Sequence, residues 1–419
     1  MYGTNEATVM TAAERPLPRF RKLRLCLRIV RDAWCVVGVA LLLFVGLNAL
    51  LSWMGRFAGH SAGMERLSHA ASLDEDESLA QLALEMQQTH DTFDTTAVRW
   101  EPLVYWRSRP YDGHHVRIDD EGIRATWKPE TGGGGGAAVR IFCFGGSTMW
   151  GSGVPDDQTI PSHIARLLWD GGVHAEVVNY GQLGYMSTQE LVALMREVQQ
   201  GNVPTVALFY DGINDINSAG FNVEAGLPVR EFLLGTAFDA FQDPTLVKLG
   251  SIYVQRSPVA KLFGSTWHRG EAVERRISNH IKTYTPQQFA QDIVSAYVMN
   301  VIMADTIANE FGFTCLFYWQ PTIHSKEVLS PHEEQVAAKQ GSSGMYDLLN
   351  QTIRDAHDEL AQGHPDLAKR LNVIDDIFDH PDWDGETAFY DAWHVSDKAN
   401  AWIAARMQRD LSPTLAGAQ

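Results

Sequence analysis

Cysteine is scarce, with four in 419 residues. So few exclude the dense disulfide framework of small secreted domains. No spacing among Cys26, Cys35, Cys143 and Cys315 resembles a zinc site. Cys143 and Cys315 lie in apolar, strand-like runs and read as buried thiols rather than a bridge. Basic residues are also short, 34 Lys and Arg against 51 Asp and Glu, for a net charge of -17. A chain this acidic lacks the electrostatic footprint of a nucleic-acid-binding protein. There is no internal repeat. A phosphate cradle needs a strand before its glycines and a helix after them. The five glycines Gly132–Gly136 precede a strand and read as a flexible joint. What remains, 45% hydrophobic and 20% charged, is an ordinary globular composition with enough chain for a full core.

One long apolar run stands out. Ala33 to Met54 is free of charged residues over 22 positions, about 33 Å as a helix and enough for a bilayer core of roughly 30 Å. Arg15, Arg19, Arg21, Lys22, Arg24, Arg28 and Arg31 precede it, and Arg56 follows. Against these stand Glu6, Glu14 and Asp32, so residues 1–60 carry +5 and the remainder -22. The positive-inside rule then keeps residues 1–32 in the cytoplasm and exports everything beyond Met54. A cleaved signal peptide fits less well, because the run is longer than a typical signal core and the Ala-rich stretch beyond it sits behind Arg56. The expected organisation is a basic tail (1–32), a transmembrane anchor (33–54), a helical stalk (55–99), an aromatic-rich lead-in with the glycine joint (100–136) and a main domain (137–419). Residues 216–284 read as an insertion in that domain.

From Ala137 onward, short apolar runs alternate with helical periodicity. The runs are 139–144, 176–179, 205–210, 313–319 and 372–375. Helices are predicted over 191–198, with Ser187 and Glu190 as a capping box, and from Thr285-Pro286 to about Glu310. Two more are predicted over 345–361 and 397–410. This alternation predicts an α/β fold, a parallel sheet with helices on both faces.

In such a sheet, ligands bind beyond the carboxyl ends of the strands. Gly145-Gly146-Ser147-Thr148-Met149-Trp150-Gly151 follows the first run, Asn179-Tyr180-Gly181 the second and Asp211-Gly212-Ile213-Asn214-Asp215 the third. Gln320-Pro321 follows the fourth, and Asp391-Ala392-Trp393-His394 stands before the last helix. These residue types suit acyl transfer. Ser147, at a tight strand-to-helix turn, is the candidate nucleophile. His394 is the candidate general base, and Asp391, three residues earlier, can fix the imidazole tautomer. The backbone N–H groups of Ser147 and Gly181 and the side-chain amide of Asn214 are candidate oxyanion donors.

Taken together, these blocks resemble the SGNH (GDSL-like) hydrolase family. Gly145–Gly151 is similar to its nucleophile block, Asn179–Gly181 to its glycine block, Gly212–Asp215 to its Gly-x-Asn-Asp block and Asp391–His394 to its Asp-x-x-His block. Residues 106–127, 320–334 and 394–404 resemble a membrane-anchored bacterial subgroup. Gly146 stands where the family name has Asp, and Lys398-Ala399-Asn400 where a Gly-Asn pair is common. The resemblance implies a flavodoxin-like three-layer α/β/α sandwich and an esterase using Ser147, His394 and Asp391, with Gly181 and Asn214 as oxyanion donors and no metal or organic cofactor. It also implies an acylated small-molecule or glycan substrate. An O-acyltransferase with the same triad and a catalytically silent envelope-binding module are the alternatives, and no protein partner is indicated. Asp211 and Asp215 could instead serve glycoside hydrolysis, although four residues apart they read better as support for Asn214. His114-His115, His324 and Arg140 read as bystanders, and Asp74–Glu77 as a solvated helix face.

Overall fold

The computed structural model describes residues 18–73, 76–89, 97–130, 139–222, 285–340 and 344–416, with scattered positions between 224 and 242. The first half of the basic tail, the Gly132–Gly136 joint and most of 216–284 lie outside the described residues.

Five parallel strands form the central sheet: β5 (Val139–Gly145), β6 (Ala175–Asn179), β7 (Val206–Asp211), β8 (Thr314–Trp319) and β9 (Leu371–Val373). Their order is β6-β5-β7-β8-β9, the 2-1-3-4-5 order of flavodoxin-like folds. Each strand reads as a continuous apolar run because both sheet faces are covered. Phe142, Phe144, Phe209 and Phe317 point to one face, where α5 (Ser187–Gln199), α7 (Pro286–Phe311) and α8 (Gly344–Gly363) pack. The phenyl ring of Phe209 stacks between Phe144 and Phe317, at 5.0 and 5.1 Å. Ile141, Cys143, Leu208, Tyr210 and Leu316 point the other way, onto α4 (Ile160–Asp170) and α9 (Asp397–Ala416). This is the α/β/α sandwich that the sequence implied. Helix α7 opens with the expected capping box, Thr285 and Gln288 bonding each other's backbone N–H, and Pro286 follows in the first turn.

The capping box expected at α5 is not there. The cap position is Met186, which makes no side-chain cap bond. The Ser187 hydroxyl donates instead to Asp215 Oδ1 at 2.5 Å, and Glu190 is turned inward and fully buried. A long-range carboxylate has outcompeted the local cap.

At the N-terminus, α1 runs unbroken from Pro18 to Leu67. Its stretch Leu25–Leu51 is long and apolar enough to cross a membrane, and a signal sequence meets the same criterion. Helix α2 (Asp76–Thr89) follows, then two small antiparallel hairpins. These are β1 (Val98–Glu101) with β2 (Tyr105–Ser108), and β3 (Tyr111–Asp112) with β4 (Arg117–Ile118). The end of α1, α2 and the hairpins pack on the body. Leu67, Leu82, Ala83 and Met86 share a core with Val116, Trp150, Val154 and Tyr390. The buried Glu85 carboxylate accepts the backbone N–H groups of His114, His115 and Val116. Ala70 O accepts the Asp397 N–H at the start of α9.

Candidate active site

The chain turns left from β5 to β6 and later right to β7, so the crevice at their carboxyl ends is the topological switch point. Ser147 opens the short helix α3 (Ser147–Trp150) directly after β5, and Asn214 lies in the first turn of α6 (Ile213–Asn222) directly after β7. His394 and Asp391 arrive from the loop before α9.

The structure brings three of the predicted residues into one hydrogen-bonded chain. Ser147 Oγ lies 2.6 Å from His394 Nε2, and His394 Nδ1 lies 2.8 Å from Asp391 Oδ2. Nδ1–H donating to the carboxylate leaves Nε2 free to accept from the serine. Asp391 Oδ1 accepts the backbone N–H of Trp393 at 3.1 Å and of His394 at 2.8 Å. Burial works to raise the Asp391 carboxyl, but the His394 charge, its ring hydrogen bond and the two backbone donors outweigh it and hold Asp391 at about 2. The Tyr390 ring stacks on the imidazole at 5.8 Å, its own hydroxyl donating to Ser152 O at 2.9 Å.

The candidate oxyanion donors are placed differently from one another. The Ser147 N–H is the first of α3, one of the donors that a helix start leaves without an internal partner. Asn214 Nδ2 donates one hydrogen to Tyr185 O at 2.6 Å. Its amide lies against Gly146, where an added Cβ would be 2.0 Å from Nδ2. In this arrangement a side chain at 146 would displace the Asn214 amide. Gly181 N–H donates to Asn179 Oδ1 at 3.0 Å. Its Cα is pressed on α3, where a Cβ would be 2.5 Å from Trp150 N.

Behind the serine turn sits Arg124, fully buried. Its guanidinium donates to Trp150 O, Gly151 O and Val154 O at 3.0, 2.6 and 2.7 Å and to Asp156 Oδ1 at 3.0 Å. Asp156 also accepts from Arg117. Neither Arg124 nor Tyr390 was singled out in the sequence, since the Arg124 bonds and the Tyr390 hydroxyl bond each cross 25 residues or more.

Asp211 and Asp215 are buried with Glu190, closed to any sugar, so the glycosidase alternative lacks an accessible carboxylate pair. Arg140 is tied to Glu176 and Asn202 at the far end of the sheet. His324 stacks on Tyr346 at 4.7 Å, and His115 reaches Ser78. Among the described residues no cluster of three or more His, Cys, Asp or Glu could hold a metal ion.

Fold and side chains together define a doubly wound α/β protein with a serine–histidine–aspartate chain at its switch point. No family model and no curated protein matches this chain. Among solved structures it is similar to the acetyl xylan esterase AlAXEase, at 12% identity over 65% of this chain and 100% of that one, with a TM-score of 0.35. It is similar also to a member of the lipolytic protein G-D-S-L family from Veillonella parvula DSM 2008 (11% identity, 65% of this chain and 97% of that one, TM-score 0.35). A third is the lipase/acylhydrolase from Enterococcus faecalis (14% identity, 65% and 95%, TM-score 0.35).

Proposed function

We propose that this chain is a membrane-anchored serine esterase of the SGNH type, cleaving an O-acyl ester through an acyl-enzyme on Ser147. The observation that carries the reading is the unbroken hydrogen-bonded chain from Ser147 Oγ through His394 to Asp391 at the switch point. Ser147 Oγ attacks the ester carbonyl while its proton passes to His394 Nε2, and the Asp391 carboxylate stabilises the imidazolium so formed. The oxyanion takes the Ser147 N–H and the second N–H of Asn214. Gly181 can join them only by giving up Asn179 Oδ1. Collapse of the tetrahedral intermediate breaks the C–O bond, and the leaving alkoxide takes the proton from His394. Water, deprotonated by the same imidazole, then attacks the acyl-enzyme, releasing the carboxylic acid and restoring Ser147.

The apolar helix and the basic residues before it support an N-terminus in the cytoplasm and a catalytic body on the outer side. That location favours O-acetyl or other carboxylic esters on an envelope glycan. The test is labelling of the full-length protein in detergent with a fluorophosphonate, beside Ser147→Ala, together with acetate release from acetylated glycans. Labelling lost in the variant supports the reading, and a folded wild type that neither labels nor releases acid refutes it. An acyl group delivered to a sugar hydroxyl instead of water would reassign the chain as an O-acyltransferase.

A further inference from the structure

Directly beneath the Gly212–Asp215 turn lies a group of acids that the triad does not use. Glu190 of α5 is fully buried, with Asp211 at the end of β7 5% and Asp215 of α6 3% exposed. The Glu190 carboxyl faces that of Asp211. Neither Glu190 oxygen receives a donor from the described residues, and nor does Asp211 Oδ1. Asp215 differs, because it accepts the Ser187 hydroxyl, itself held by Asn300 Nδ2 at 2.9 Å. Tyr297 of α7, buried and with its hydroxyl unpartnered, lines a small cavity with Ser187, Asp211 and Asn300.

Two carboxyl groups in contact, away from water and without another donor, cannot both be ionised, since like charges at that distance in a poorly polarisable interior are strongly unfavourable. One proton held between them removes the repulsion and supplies the missing donor at the same time. The groups facing the pair come from every packed element: Asp215 from α6 and Tyr297 from α7, with only Phe317 and Trp319 from β8. No Lys, Arg or His among the described residues is bonded to any of the acids. The turn they support is tightly constrained. Gly212 has φ +124, and a Cβ there would be 3.1 Å from the Trp319 ring. Any separation of Glu190 from Asp211 is therefore passed to Asn214, three residues after Asp211.

We propose that Glu190 and Asp211 share one proton beneath the Gly212–Asp215 turn, and that this protonated pair is the positioning device for the Asn214 amide. The inference rests on the esterase reading for its effect on turnover, but not for the proton itself. Burial, aided by Asp215, raises the Asp211 carboxyl to about 8, and burial with the Asp211 charge raises Glu190 in the same direction.

The test uses the full-length protein, with Glu190→Gln and Asp211→Asn as shape-preserving variants whose amide donates to the remaining carboxylate. Infrared spectra at neutral pH show the carbonyl band of a protonated, buried carboxylic acid in the wild type and in Ser147→Ala, and lose it in both amide variants. A wild type without that band overturns the proposal, and so does a band that survives both substitutions. In turnover, wild-type kcat falls on the alkaline side as the shared proton is lost, with KM unmoved, and Glu190→Gln abolishes that fall while keeping neutral kcat within about threefold. Glu190→Ala lowers kcat about tenfold at neutral pH, a part of the 10²–10³ that loss of an oxyanion donor costs. An alkaline fall unchanged in Glu190→Gln counts against the positioning role. A wild type with the infrared band but no esterase activity removes the functional reading and leaves the shared proton standing.

Discussion

Asp391 and Asp211 are both aspartates at the carboxyl edge of one sheet, and their surroundings drive them in opposite directions. Asp391 is partly open, with 27% of its side chain exposed, and collects three donors: the His394 ring, the His394 N–H and the Trp393 N–H. Asp211 is closed from water and meets another carboxyl instead. Burial raises both carboxyls, so burial does not account for the difference. The supply of donors does, and it divides the labour between the two sides of the crevice. One side holds a fixed negative charge against the histidine, and the other holds two carboxyls joined by one proton under Asn214.

The largest effects should come from substitutions that exchange these roles. Asp391→Asn keeps the shape but turns the acceptor for Nδ1 into an amide that can favour the wrong tautomer. Its kcat should fall about 10⁴-fold. Asp211→Asn replaces the shared proton by an amide hydrogen facing Glu190 and should stay within about threefold of wild type at neutral pH. Steady-state kinetics on a soluble acetate ester measure both. Equal losses in the two variants would erase the distinction between the charged and the proton-sharing aspartate.

A second contrast sets a buried ion pair against an exposed one. Arg124 and Asp156 hold the serine turn from behind, with side-chain exposures of 0% and 8%. Arg124→Met strands Asp156 in the interior with only the half-open Arg117 as partner. The expected loss is about 3–5 kcal/mol of stability, the range for breaking a buried pair. Removing the exposed Lys398–Glu386 pair, at 56% and 58%, should change stability by less than about 1 kcal/mol. Urea titration of each variant reads the difference, and Arg124→Met at wild-type stability would show that the carbonyls of 150–154 need no such tie.

Next in size is the oxyanion side itself. Asn214→Ala should lower kcat about 10²–10³-fold with little change in KM. Gly146→Ala should do nearly as much without touching Asn214, because its methyl occupies the place of the amide nitrogen. If Gly146→Ala were silent, the amide would have room to serve from elsewhere, and the tight packing would not matter to function.

How much of this was legible in the sequence depends on distance along the chain. The five strands were, because strands covered on both faces are apolar at every position rather than at alternate ones. Asp391-x-x-His394 is a local turn, and three residues suffice to bring its two side chains together. Ser147 stood out by its glycines and by following a strand. Glu190 was misread for a physical reason: Ser187-x-x-Glu190 is a good cap pattern, and only Asp215, 28 residues away, redirects the serine hydroxyl. Arg124 lies in the 106–127 segment that the resemblance covers, but its role was not legible, since a lone arginine in a loop has no periodicity. The placement of α2 on Trp150 and Val154 was likewise hidden, because a polar amphipathic helix looks alike whether it is a free stalk or a buttress. Gly181 was named as an oxyanion donor from its position, whereas its N–H is turned to Asn179 through a two-residue contact that composition does not reveal.

The smallest expected effect separates the two aspartates by sign. Asp391, held at about 2 when folded, has an unfolded value near 3.9, so its ionised form favours the native state. That stability is present above about pH 4 and is lost as pH falls through about 2, and it amounts to about 2 kcal/mol. Asp211 is raised when folded, to about 8, so the native state binds the extra proton. Its contribution is complete below about pH 4 and is lost as pH rises toward about 8, with no further change above. Urea midpoints measured from pH 2 to 9 should therefore slope at both ends, with Asp391→Asn flattening the acid slope alone and Asp211→Asn the neutral-to-alkaline slope alone. A single variant that flattened both would mean that the two sides of the crevice share one titrating network, and the division of labour between the charged and the proton-sharing aspartate would have to be abandoned.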